Sequence, residues 1–504
     1  DRIITIYFNM KYYVNYLRAA FVSLLLFSCT NDPCREETGT FSELGKTEMN
    51  AGSTVSLDCA LAELDAVLDD IYPSTRGRKR YSVANISVCG GHNTRSEDGS
   101  LLPDTLVYVV NFDNSEGFAV LGGQDYLDPV YAVTESGSLD ADRLGDYVAS
   151  GYDILHDIYI HGDDDECYCG YVGDDDEHDC PFEEGEEDDL PFVDDPDLPM
   201  SLTGNSILSD LLNRPGTEMV DIHLGQDSRP VTPTRRIVHG EWEPDVKVGP
   251  LLETEWHQNY PFDNLCPTGC PAGCVVIAVA QIMAYHELPK NPRFNDVPCD
   301  WQQMKDSNNL TSREIAIQYA SMCKELGSKA NCNVDYDPGG SSSNARKAKR
   351  TLGNYGFRNL KKRTGFNEKN QRRALGMLDA GKPVYLGASG KRYAEDGSVS
   401  NSGHAFVLDG YVKRYYEKTE SLFYATGDID VYKSRSKHQT LVHINWGWGS
   451  DAYNNKKGRN GYFVLKDSFN TNEGYKKWEK DSLLAKKPYY YDYFRYFRMI
   501  TYDI

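Results

Sequence analysis

Apolar residues recur at helical spacing between Ser53 and Ile71 (Val55, Leu57, Leu61, Leu64, Val67, Leu68, Ile71), which predicts a helix with one buried face. Two runs of β-branched and aromatic residues follow, Leu106–Phe112 and Phe118–Leu121, joined by the turn formers of 113–117. This is a hairpin pattern, and Pro129–Val133 supplies a third candidate strand. A helix and a small antiparallel sheet suffice for a small α+β unit.

The pattern changes after Val246. From Cys274 to Met283 the chain is apolar on every side, which predicts a helix packed inside a domain rather than lying on its surface. It ends near Tyr285, with Pro289 beyond. Further helices are predicted over Ser312–Leu326, Ser343–Tyr355 and Asn370–Ala380, and strands over Pro383–Leu386, Ala405–Leu408, Thr440–Trp446 and Gly461–Lys466. Helices first and antiparallel-type strands last predict an α+β fold. Lys476–Ile504, rich in Tyr and Lys, shows no pattern that assigns it a role.

The 504 residues give room for two domains, each with its own core. A net charge of -23 argues against a nucleic-acid partner, because a polyanion is repelled over most of such a surface. That charge is concentrated. No Lys or Arg stands between Arg143 and Arg214, and Asp163–Asp197 is dense with carboxylates. Such a run reads as a solvated linker.

Met10 and Lys11 open a short polar region with Arg18, followed by an apolar run from Ala19 to Phe27 and then Ser28-Cys29. The run is too short to span a bilayer and has the length of a signal-peptide core. Leu26-Phe27-Ser28-Cys29 resembles a lipoprotein signal, with Cys29 as the lipidated residue and Asp1–Asn9 as an upstream extension. Ordinary signal cleavage is the alternative, and either route takes the protein out of the cytoplasm. The chain has 13 cysteines, which suits an oxidising compartment. Cys167, Cys169, Cys180 and His178 cluster in the acidic stretch, but Cys-x-Cys spacing is tighter than a zinc knuckle, so no metal site is expected there.

Cys274 stands at the start of the buried helix, where a thiol meets the N–H groups and positive end of the helix dipole, a position that favours thiolate. Downstream, Ser402–Gly410 delivers His404 onto a strand, and Val442–Gly449 is a second strand running into a Gly/Trp-rich turn. His404 lies about 130 residues after Cys274, and Asn445 about 40 residues later. This order and spacing fall in the range of papain-like cysteine proteases, with Cys before His before Asn. Cys270 is the rival nucleophile, since Pro271 permits a first helical turn. His404 is the expected general base. His286 is roughly 18 Å along the same helix from Cys274, too far to serve. His443 reads as packed or surface, and His257 is not excluded by distance. A polar partner normally fixes the histidine tautomer, which points to Asn445.

Gly273-Cys274-Val275 with Ala280–Met283, Gly403–Gly410 and Asn445–Gly449 together resemble the streptopain family of bacterial cysteine proteases. The resemblance runs from about Val248 to about Ser468, with a weaker one to the family's propeptide between Leu106 and Val133. It implies a papain-like fold, synthesis as a zymogen, and a propeptide that packs over the active site as an intramolecular inhibitor. It places the register of the nucleophile at Cys274 rather than Cys270. It also implies that Gln258 supplies an oxyanion-hole donor beside the Cys274 N–H, and that a tryptophan of the Trp446-Gly447-Trp448 segment supports the imidazole. Trp256 packs on this reading. Gly339–Ser343 reads as a substrate-facing loop or simply as a helix entry capped by serine.

The expected organisation is a signal segment at 1–29, a propeptide-like domain at 45–150, an acidic linker at 151–245 and a papain-like catalytic domain at 246–504. The expected function is that of a secreted or surface-anchored cysteine endopeptidase of a bacterium, acting on protein or peptide substrates with no cofactor and no metal. It touches membrane only through the lipid at Cys29. An amidase or transglutaminase on the same Cys-His pair, and a non-catalytic binding protein on a protease fold, are the alternatives.

Overall fold

The computed structural model describes residues 36–39, 54–72, 81–90, 102–149, 198–212, 234–306, 312–393, 399–423, 429–449, 460–465 and 497–504. The signal segment with Cys29, the acidic run with Cys167, Cys169, His178 and Cys180, and most of the Tyr/Lys-rich stretch lie outside the described residues. Two units are distinguished. In the smaller, β1 (Glu36–Gly39) pairs antiparallel with Arg235–Val238 of β6 (Thr234–Val248). The larger unit holds all the chemistry considered below.

Helix α1 (Leu57–Ile71) starts where the Ser56 side chain accepts from the Cys59 N–H. It buries Ala60, Leu64, Val67 and Ile71, one stripe at helical spacing. The predicted hairpin is present as β3 (Val107–Phe112) and β4 (Phe118–Gly122), flanked by β2 (Val83–Cys89) and β5 (Val130–Thr134). β3, β4 and β5 are buried along their whole length, which explains their continuous apolar sequence. A helix at 141–149, α2, follows them.

The later half carries α4 (Cys274–His286), α5 (Trp301–Asp306), α6 (Arg313–Gly327), α7 (Ala345–Asn354) and α8 (Glu368–Asp379). Its strands are β7 (Arg293–Phe294) and β8 (Val297–Pro298), which pair with each other, then β9 (Arg358–Thr364), β10 (Val384–Tyr393), β11 (Val399–Phe423), β12 (Ile429–Asn445), β13 (Gly461–Val464) and β14 (Arg498–Asp503). The sheet order is β2-β3-β4-β5-β13-β12-β11-β10-β14-β9. The N-terminal strands therefore extend the later sheet, because β5 pairs antiparallel with β13, Tyr462 opposite Val133. The fold is α+β, as the element order predicts.

Alternation along the strands divides the interior. Tyr385, Ala405 and Val407 face an apolar cluster built on α4, α6 and α7. Leu386, Phe406 and Leu408 face a second cluster that also contains the cores of α1 and β3–β5. Thus the N-terminal segment shares a core with the later sheet.

Two features depart from expectation. Within 151–245, expected as a linker, Leu198–Leu212 forms α3, with Leu202, Ile207, Leu208 and Leu211 buried. The charge run stops at Asp197, and the apolar residues after it restore a face worth burying. Asp210 of α3 accepts hydrogen bonds from the Tyr131 hydroxyl and, at 3.2 Å, from the Asp128 N–H, tying it to the β5 region. The second is β14, inside the stretch left without a role. It inserts between β10 and β9, with Ile500 opposite Tyr385 and Arg498 opposite Thr364.

Candidate active site

Every side chain from Cys274 to Ala284 is buried, so the helix, apolar but for Gln281, does lie inside the molecule. The chain enters it through Gly273 at φ 97°, a backbone region that suits glycine. Gly273 C=O accepts from the Val276 and Ile277 N–H groups, which starts the helix with the Cys274 thiol at its first turn. Two residues upstream, the Ala272 N–H donates to the Gln258 carbonyl at 2.8 Å. Gln258 is thereby held against the approach to Cys274. It is 4% exposed, and neither polar atom of its side-chain amide has a hydrogen-bond partner among the described residues. Leaving a buried amide unsatisfied costs about 1–3 kcal/mol.

His404 is fully buried on β11, opposite Ala388 of β10. Its Nε2 is 2.7 Å from the Trp446 carbonyl oxygen. A carbonyl only accepts, so Nε2 carries a proton, and in the neutral form of the ring Nδ1 then holds the lone pair. The Trp448 ring lies 4.7 Å from the imidazole at 34°, and Trp446 stacks on Trp448 at 5.4 Å. The tryptophan pair therefore meets the histidine twice, through a backbone acceptor and an aromatic wall. Asn445 does not share this task directly. Its Nδ2 donates to the Thr254 carbonyl at 2.8 Å, while its Oδ1 accepts from Gln281 Nε2 at 3.1 Å and from the Gly447 N–H at 3.0 Å.

Helical periodicity brings the cysteine and histidine segments to one seam. Cys274, Ile277 and Gln281 stand at i, i+3 and i+7 of α4 and share a face. Gly447, at φ 71°, presses on that face: a Cβ there would lie 3.0 Å from Ile277 Cγ2 and 3.7 Å from Gln281 Nε2. The turn whose carbonyl receives His404 thus rests on the helix face that begins with Cys274. Ala405 and Val407, just after His404, join Cys274 in the same apolar cluster.

The other candidates fall into structural places. Cys270 is buried in a turn closed by its own N–H to the Pro267 carbonyl. Burial lowers the His257 pKa to about 4, so that ring is neutral, 5.0 Å from the Phe262 ring. His286 Nε2 meets the Tyr502 hydroxyl at 2.9 Å, and burial first, then Lys382 and Lys290, lowers its pKa to about 4. His443 is buried and paired with Asp409 at 2.6 Å. Trp256 packs edge-on to Tyr319 and against Phe262. In the 339–343 loop Ser343 gives its hydroxyl to the Cys332 carbonyl, and Asn344 rather than a serine caps α7 by accepting from the Lys347 N–H. Sequence reasoning passed over Gln281, Thr254 and Asn460. A lone glutamine inside an otherwise apolar helix was the available signal, since a buried amide demands partners.

Residues 256–454 match the model of the Peptidase C10 family. That stretch is similar to the Peptidase C10 family. It contains Gln258, Cys274, His404, Asn445 and Trp446, so the resemblance to the streptopain family holds where the candidate residues lie. Streptopain of Streptococcus pyogenes is 26% identical over 210 residues, covering 36% of this chain and 44% of the relative. Streptopain of serotype M1 is likewise 26% identical over 210 residues. The chain spans less than half the length of these relatives. Among solved structures, a fragment of prointerpain A from Prevotella intermedia is similar at TM-score 0.41 and 16% identity, covering 78% of this chain and 94% of that one. Among the described residues, no helix is long and apolar enough to cross a membrane.

Proposed function

We propose that this chain is a cysteine endopeptidase acting through Cys274 and His404. The observation that carries the reading is the unpartnered, buried Gln258 amide tethered beside a cysteine at a helix start. On this reading His404 Nδ1 takes the thiol proton and Cys274 Sγ attacks the peptide carbonyl carbon. Negative charge then develops on the carbonyl oxygen, where the Gln258 side-chain N–H and the Cys274 backbone N–H receive it. The amine leaves with the proton from Nδ1, and water, deprotonated by the same nitrogen, releases the acid and restores the thiol. Reduced, mature protein should hydrolyse casein and lose that activity on treatment with a thiol-trapping epoxide. Absence of turnover would favour a non-catalytic binding role, and turnover of small amides or glutamines alone would favour the amidase or transglutaminase reading.

Synthesis as a zymogen is the finer part of the proposal. The N-terminal segment is bound to the later sheet by β5–β13 pairing, by Gln439 Nε2 to the Val130 carbonyl at 2.9 Å, and by an ion pair between Asp70 and the buried Arg414. A segment held this firmly needs cutting before it can leave. We expect wild-type precursor to convert to a fragment beginning between Arg214 and Val246, and Cys274→Ala to stay full length unless active enzyme is added. Arg235-Arg236 lies in that interval, although its backbone is paired with Gly39 and Thr38, so a cut there first requires that ribbon to open. Mass spectrometry of the fragments decides, and full activity of an unprocessable precursor would sink the zymogen reading.

A further inference from the structure

Asn445 has the chemistry to hold a catalytic histidine, yet its amide is engaged by Gln281, and that substitution of roles carries the inference. We propose that Gln281 is a positioning residue that sets the orientation and tautomer of His404, acting through Asn445 and the peptide between Trp446 and Gly447. The kinetic consequence rests on the peptidase reading above; the geometry does not.

The polar atoms form a closed ring across three segments. Thr254 Oγ1 donates to Gln281 Oε1 at 2.9 Å, Gln281 Nε2 donates to Asn445 Oδ1 at 3.1 Å, and Asn445 Nδ2 returns to the Thr254 carbonyl at 2.8 Å. Thr254, Gln281 and Asn445 are 2%, 0% and 4% exposed, so these bonds are shielded from bulk solvent. The ring defines which way the Asn445 amide faces: its oxygen is placed by the Gln281 N–H and its nitrogen by the Thr254 carbonyl. With that orientation Asn445 Oδ1 also accepts the Gly447 N–H at 3.0 Å.

The Gly447 N–H and the Trp446 C=O belong to one planar peptide group, so fixing the direction of the first fixes the second. The Trp446 C=O is the acceptor for His404 Nε2. Asn460 Oδ1 steadies the preceding peptide by accepting the Trp446 N–H at 3.0 Å. Without a clamp this peptide has an easy alternative, because Gly447 sits at φ 71°, where glycine exchanges turn types at little steric cost. A flip of the peptide would aim its carbonyl away from His404. Nε2 would lose its acceptor, and the proton would be free to move to Nδ1, the nitrogen that must be basic. Gln281 thus links the nucleophile's own helix to the tautomer of the base.

The test uses the full chain with 15N-labelled histidine and Gln281→Met, which keeps the length and apolar body of the side chain but removes both polar atoms. The wild type should show His404 with its proton on Nε2, and the variant a mixture or the Nδ1–H form. Peptide turnover should fall about 100-fold in kcat, the scale of a catalytic group misplaced by about an ångström, with KM within about twofold. Should Gln281→Met fail to fold, Thr254→Val removes only the hydroxyl that orients Gln281 and should shift tautomer and kcat in the same direction by less. An unchanged Nε2–H tautomer with unchanged kcat in a folded variant overturns the proposal. A wild type that cleaves nothing, paired with a tautomer shift in the variant, upholds the positioning role and sinks the peptidase reading instead.

Discussion

Alanine at Cys274 or at His404 is expected to lower peptide turnover by on the order of 10⁴–10⁶-fold, with the double variant little worse than either single one, because members of such a pair fail as a unit. Each loss has its own physical origin. Without the thiol no covalent bond to the substrate forms. Without the imidazole the thiol keeps its proton and the leaving amine receives none. Residual rate then comes from binding and from the oxyanion donors alone, so Gln258→Ala, which removes one such donor, should cost about 10²–10³-fold in kcat. Cys270→Ala should retain most activity, since its thiol is enclosed in a turn and lacks a helix start behind it. Kinetics on folded, processed protein with a fluorogenic peptide supply the check. If Cys270→Ala is the inactive variant and Cys274→Ala the active one, the nucleophile has been misassigned.

How much of this was legible in the sequence depends on whether the deciding contact is local. The helix from Cys274 could be read because an all-apolar run has few other solutions. The hairpin at Val107–Gly122 could be read because turn formers separate two buried strands. β9 could not, because Arg358-Asn-Leu-Lys-Lys-Arg-Thr carries the charges of an edge strand and little apolar patterning. β14 was hidden by its neighbours: a short buried strand after a Tyr/Lys-rich run shows no alternation of its own, and only pairing with β10 and β9 defines it. The site divides in the same way. Cys274 and His404 announce themselves by motif and spacing, whereas the partner of His404 is a backbone carbonyl, for which no residue type is a signal. Asn445, expected beside the imidazole, is engaged elsewhere. Its amide completes a ring with Gln281 and Thr254, residues 164 and 191 positions away.

The largest loss of stability is expected at a different histidine. His443 Nδ1 lies 2.6 Å from Asp409 Oδ1, and its Nε2 lies 3.7 Å from Glu135 Oε1 of the N-terminal segment, with both His443 and Asp409 buried. Burial opposes the charged ring, but Asp409 and Glu135 outweigh it and hold the His443 pKa up to about 10. Asp409 also accepts the Leu252 N–H through Oδ2 at 3.1 Å, so its carboxylate anchors the chain leading to Gln258 as well. Removing one member of a buried ion pair strands the other, which costs about 3–5 kcal/mol. Asp409→Leu should therefore lower the denaturant midpoint strongly, and Asp409→Leu with His443→Phe should recover part of the loss, because no charge is then left unpaired. The pH dependence has a definite sign. A histidine whose folded pKa is raised contributes stability that is fully present below its unfolded value near 6.5 and disappears as pH rises through about 10. The stability gap between wild type and Asp409→Leu should be widest near pH 6 and narrow towards pH 10. The Glu135 contact extends the same dependence to the N-terminal segment, which is held on the sheet partly by a charge that alkali removes. Denaturation series at both pH values, on full-length protein, test this directly. A gap that stays constant across that range would show that His443 is neutral in the folded state and that Asp409 acts only as a hydrogen-bond acceptor.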